Sequence, residues 1–150
     1  MRMSFYLGIV ALAALGLQLT GCKKPASTYT KVQPAQVDPI EGSKHSRMTL
    51  TEKAMERIGV KTVPVQEFKA QGVVDATAQT SVPYSALIYV PTGETHVYTS
   101  PAPRTFVRAA VTVDSIQGDL VVLNEGPAAG TEVVSIGAAQ LFGTEIGVGK

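Results

Sequence analysis

The sequence predicts a mainly β protein, a small antiparallel β-roll or barrel with one short N-terminal helix. Three observations carry that prediction. Val, Thr, Ala and Gly are plentiful, Trp is absent, and charged residues make up only 17% of the chain, a composition that leans towards extended structure. From Val60 onward, short runs of β-forming residues are punctuated by Gly and Pro turns. Only Thr51 to Gly59 carries clear helix start and stop signals.

In that helix Thr51 is the expected N-cap, and Glu52 suits the positive end of the helix dipole. Leu50 and Met55 stand at the positions of a hydrophobic staple, and Gly59 is placed to end the helix in a left-handed conformation. Ala54, Met55 and Ile58 fall on one face, which makes Met55 a core residue rather than a metal ligand. Val60 to Gln66 alternates as a strand, with Val63 and Val65 on one side and Pro64 assigning it to a sheet edge. Phe68 to Ala76 reads as another strand with Gly72 as a bulge. Val82 to Val90 reads as a strand that turns through Pro91-Thr92-Gly93-Glu94 and returns as Thr95 to Thr99. Ser100 to Pro103 is expected as a rigid loop. Thr105 to Asp114 is the longest strand signal, followed by a turn at Gln117-Gly118-Asp119 and a return strand, Leu120 to Leu123. Thr131 to Ile136 is the last strand, and Ala138 to Phe142 is compatible with a helical turn.

The N-terminus has a different character. Arg2 precedes an almost unbroken apolar run, Phe5 to Leu19, which at 15 residues is shorter than the ~20 needed to cross a bilayer as a helix. A charged start, a short apolar centre and small residues before a cut are the marks of a secretory signal. Leu19-Thr20-Gly21-Cys22 resembles the lipobox of bacterial lipoproteins, and that resemblance implies acylation of the Cys22 thiol, with fatty acids such as palmitate, and cleavage before it. Residues 1–21 are then a lipoprotein signal peptide. Two acyl chains hold a protein on a membrane without a spanning helix. An Asp directly after the Cys, the common inner-membrane retention signal, is absent, since Lys23 stands there. The expected location is the cell envelope, lipid-anchored and facing the periplasm or the exterior.

With Arg2 removed, the formal charge falls from +1 to zero. A neutral chain without a basic block argues against nucleic acid and against a polybasic grip on lipid head groups. A single cysteine forms no internal disulfide and no cysteine metal cluster. Residues 22–47 read as a lipid-anchored flexible tether, because Pro25, Pro34 and Pro39 interrupt regular elements and the apolar residues show no period. A coil of that length spans roughly 25–30 Å. Residues 48–147 form the expected folded domain.

Within that domain Val82-Pro83-Tyr84-Ser85-Ala86-Leu87-Ile88 is similar to the segment that opens the C-terminal part of periplasmic adaptor proteins, or membrane fusion proteins, of RND-type efflux pumps. The same order continues with the Gly93 hairpin, Phe106 and Arg108 before Val111-Thr112-Val113, and Gly118-Asp119. It ends with a Gly-rich loop from Gly126 to Val134 and Gly137-Ala138-Ala139-Gln140-Leu141. Leu50 to Val60 resembles the family's early helix and strand. In that family the early and late strands combine into a membrane-proximal domain, with a lipoyl-like domain, a helical hairpin and a β-barrel domain inserted between them. Here Asp75 to Ser81 joins the halves almost directly. The resemblance therefore implies a stand-alone membrane-proximal-type domain. It also implies a non-catalytic, adaptor-like or accessory component of a transmembrane efflux system, with a transporter or a full-length adaptor as partner and no cofactor. The alternative is a free-standing binding lipoprotein, for metal ions among other ligands, without a pump partner.

Few residues offer chemistry of their own. His45 and Met48 are borderline and soft metal ligands, but two ligands make a poor site and a solvated linker histidine is the simpler reading. His96, Ser100 and Asp114 form a triad only on paper, and His96 in a hairpin arm is expected to be an exposed or edge histidine. The Gly143 to Lys150 tail departs from a phosphate loop, which needs Gly where Thr144 stands. Tyr84, Tyr89 and Tyr98 are expected to pack across the sheet, with a binding surface as the alternative. Arg104 and Arg108 flanking Phe106 are expected on a solvent face of their strand, with a partner contact as the alternative.

Overall fold

The computed structural model of the chain describes residues 33–43, 45–69 and 79–147. The signal segment, Cys22, the first part of the tether, the Gly72 bulge and Lys150 lie outside the described residues.

The sheet begins earlier than the expected domain. Strand β1 (Ala35–Pro39) pairs antiparallel with β2 (Ser46–Leu50), from Ala35↔Leu50 to Pro39↔Ser46. The C-terminal part of the expected tether is thus a hairpin. Pro34 and Pro39 delimit the strand instead of abolishing it. An edge strand needs its N–H groups on one side only, which leaves room for proline at its ends. Ala35 and Val37 pack against the core, a burial that their spacing of two allows. The turn closes through Ser43 N–H to the Ile40 carbonyl (3.0 Å), with Gly42 at φ 76°.

Helix α1 (Glu52–Ile58) has the expected ends. The Thr51 hydroxyl accepts from the Ala54 N–H at 3.2 Å, and Gly59, at φ 69°, donates its N–H to the Met55 carbonyl. Leu50 and Ala54 are buried, with Met55 and Ile58 packed on the same cluster. The chain continues as β3 (Lys61–Pro64), passes buried Val65, and becomes β4 (Gln66–Phe68). β3 is an edge strand, as Pro64 required.

The single strand expected over Val82 to Val90 is divided. β5 (Gln79–Pro83) gives way to a 3-10 turn (Tyr84–Ala86) and a two-residue β6 (Ile88–Tyr89). The turn buries Ala86 and Leu87 at the point where the chain changes direction. β6 pairs with β7 (Thr95–Ala102) across the expected Gly93 turn, at φ 89°. β7 also absorbs most of the expected Ser100 to Pro103 loop. Pro101, which donates no hydrogen bond, falls where the ladder to β8 (Thr105–Gln117) shifts register between Thr99 and Ala102. β9 (Leu120–Glu125), β10 (Glu132–Ile136) and a second helix, α2 (Ala138–Glu145), complete the described fold. A full helix of eight residues thus stands where a helical turn was compatible.

The strands run in the order β3-β10-β7-β8-β9-β5-β4, with β1-β2 attached to β8 and β6 attached to β7. The two ends of this path, β3 and β4, are separated in sequence only by Val65. The sheet is therefore curled into an antiparallel half-barrel. Val65 holds the joint: its N–H donates to the Thr131 carbonyl and its carbonyl accepts from Gly130, both at 2.9 Å. β8 is long enough to serve both halves, pairing with β2 and β7 through its first part and with β9 through its last. Its alternate residues then enter two cores. Phe106 joins Met48, Leu50, Tyr98 and Leu141 beneath the helices, while Ala109, Val111 and Val113 join Val82, Val97, Val121 and Leu123 inside the curl.

Candidate functional site

The polar residues that the fold brings together lie on the sheet face toward α2. His96 and Tyr98 share one face of β7, since side chains alternate along a strand. Tyr98 stands opposite Arg108, and His96 opposite Ala110. Glu145, at the end of α2, meets both members of the Tyr98–Arg108 pair. The Tyr98 hydroxyl donates to one carboxylate oxygen, and Arg108 Nη2 lies 3.4 Å from the other. The Arg108 guanidinium carbon is 5.7 Å from the centre of the Phe142 ring, a cation–π distance. Both charged side chains are largely covered, at 16% exposure for Arg108 and 7% for Glu145. Burial, reinforced by the bond to Glu145, pushes the Tyr98 phenol well above its ordinary value, so it stays a proton donor.

His45, in the β1–β2 turn, meets His96 at the edge of this cluster. Their ring centres are 5.4 Å apart at an interplanar angle of 81°, an edge-to-face contact. His96 is buried, against its expected exposure at a hairpin edge. Burial, then the nearby Arg108 and His45, hold its imidazole below the ordinary value, while Glu94 and Glu145 oppose the shift. Nδ1 of both histidines and Nε of Arg108 are buried without a protein hydrogen-bond partner.

These positions correct several expectations. The Phe106 and Arg108 face of β8 is covered, not solvated, because α2 lies over it and supplies a carboxylate for the arginine. Tyr98 is core, whereas Tyr84 and Tyr89 are exposed at 46% and 55%. Arg104 is separate from Arg108, in the turn between β7 and β8 at φ 59°, where its carbonyl accepts from the Leu50 N–H. Ser100 and Asp114 lie four residues from His96 and from its cross-strand partner Ala110, in opposite directions along the ladder. At ~3.3 Å per residue no triad assembles. Met48 is a core residue at 1% exposure, and His45 has His96 beside it. Among the described residues no group of three or more His, Cys, Asp or Glu is arranged to hold a metal ion. The partner missed for Tyr98 and Arg108 was Glu145, on a helix where the sequence suggested only a helical turn over Ala138 to Phe142.

A second feature is a recess of about 350 Å³ beside the β1–β2 hairpin, lined by Gln33, Ala35, Gln36, Thr49, Leu50, Thr51 and Arg104. Among the described residues that line it, Arg104 alone is charged. Chemically the two regions differ. The recess is an open surface feature, whereas the Tyr98–Arg108–Glu145 cluster ties a helix to a sheet.

Comparison with protein-family models and with curated protein sequences gives no match. No helix of the described residues is long and apolar enough to cross a membrane.

Proposed function

We propose that this chain is a non-catalytic, lipid-anchored extracytoplasmic component of an RND-type efflux system, acting as an accessory or adaptor-like domain. The observation that supports this reading is the pairing of β4 with β5, down to Phe68↔Gln79. In the adaptor family that the sequence resembles, the central domains are inserted between early and late strands. Here the end of the join, Gln79 to Ser81, is itself the start of β5 and pairs with β4 in one antiparallel ladder. Closely spaced insertion points allow a domain to be lost or gained without rebuilding the core. The pairing of early β3 with late β10 agrees with the same layout.

The anchor in this proposal is Cys22, and the partner is a transporter or a full-length adaptor at the membrane. The test is affinity recovery of the tagged full-length protein from membranes, followed by identification of what accompanies it. A co-purifying transporter or adaptor subunit is the expected result. Recovery of the protein with neither overturns the proposal.

A further inference from the structure

The two histidines of the chain meet although one lies in the β1–β2 turn and the other on β7. The turn is built around His45. Its N–H donates to the Ser43 hydroxyl at 3.0 Å, and its carbonyl accepts from the Ile40 N–H at 3.3 Å. The hairpin joins the rest of the sheet through three β2–β8 register pairs, Arg47↔Val107 to Thr49↔Thr105. The His45–His96 contact fastens its turn end to β7 as well.

The groups facing His96 are Arg108 from β8, His45 from the hairpin turn, Glu94 from the turn before β7 and Glu145 from α2. Glu145 is already engaged by Arg108 and Tyr98. A proton on His96 would therefore add a buried cation beside Arg108, with no partner for its Nδ1. A second proton, on His45, would set two imidazoliums edge to face.

We propose that the His45–His96 contact is a proton-operated latch, closed while both rings are neutral and released by protonation, which frees the turn end of the β1–β2 hairpin from β7. In the closed state the edge of one ring rests on the face of the other. In the protonated state, charge repulsion and the desolvation of an unpaired N–H act against it. The buried His96, which faces Arg108 and His45, is the ring whose protonation the latch senses. Release takes up protons, so acid favours it by at most about tenfold per pH unit for each proton bound.

Hydrogen exchange of the full-length protein at pH 7.5, 6.5 and 5.5, corrected for the intrinsic pH dependence of exchange, tests this. Amides of residues 40–48 are expected to lose protection by up to about tenfold per pH unit as pH falls, while those of Val121 to Leu123 keep theirs. His96→Phe retains a flat ring without a titratable proton and should remove the pH response. Equal hairpin protection across the series, or a response that persists in His96→Phe, overturns the latch. Should that variant not fold, ring-proton NMR of the wild-type protein decides. The His96 ring signals and the hairpin amides are expected to shift over the same pH range. A His96 titration with unmoved hairpin amides overturns the latch.

Discussion

Tyr98 and Arg108 face each other across the β7–β8 ladder and hold the same carboxylate, one oxygen each. Glu145 thus locks the last turn of α2 onto the sheet. Without it, the helix is held mainly by Ala138, Leu141 and the partly buried Phe142.

Glu145→Ala removes the anion paired with a mostly buried guanidinium. Breaking one partner of such a pair leaves the other charge uncompensated, and with Arg108 partly reachable by water the cost is about 2–4 kcal/mol. Urea unfolding measures it. A double replacement, Arg108→Met with Glu145→Leu, should cost less than the sum of the single changes. An additive result would show that the pair does not act as a unit.

Tyr98→Phe should cost about 1.5–3 kcal/mol at neutral pH, the range for a hydrogen bond to a charged group. The same phenol predicts an alkaline limit. Its folded pKa lies above the ordinary 10.0, so the folded state holds this proton more tightly than the unfolded state. That stability is fully present below pH 10 and declines as pH rises above it. Unfolding measured between pH 9 and pH 11.5 should show the decline in the wild-type protein and a flatter curve in Tyr98→Phe.

Gly137 immediately precedes α2 at φ 96°, and an added Cβ would come within 3.0 Å of Ile58 Cγ2 and 3.1 Å of Val60 Cγ2. Gly137→Ala combines a strained backbone with an intrusion between α1 and β3. A loss of about 2–3 kcal/mol is expected. A thermal midpoint unchanged from wild type would contradict this packing.

Cys22→Ser tests the anchor. The variant should escape lipid attachment and leave the membrane fraction, read by metabolic labelling with a fatty acid and by fractionation. A variant that remains membrane-bound and processed like the wild type contradicts the lipobox reading.

Much of the fold was legible because it follows local rules. Thr51, Gly59, Gly93 and Gly118 mark their turns and caps by chemistry that needs no distant partner. Val63 and Val65, which the alternation put on one side, pack into the same core cluster. The hairpin of Ala35 to Leu50 was not legible, because Pro34 and Pro39 read as breakers until the strand is known to lie at an edge. The polar cluster was less legible still. Arg108 looks like a surface residue on its own strand, and nothing local reveals that a glutamate 37 positions later will lie beside it. His45 and His96 likewise meet only because the hairpin docks on β8 next to β7.

The proline at the end of β3 has a consequence for behaviour at high concentration. An unpaired strand edge is a template for another copy of the chain, and Pro64 withholds one donor from it. Confinement to a membrane surface would multiply encounters between copies, many of them side by side. A Pro64→Val change would then matter little to the lone molecule and a great deal to a crowded population, where free edges of neighbouring copies would pair.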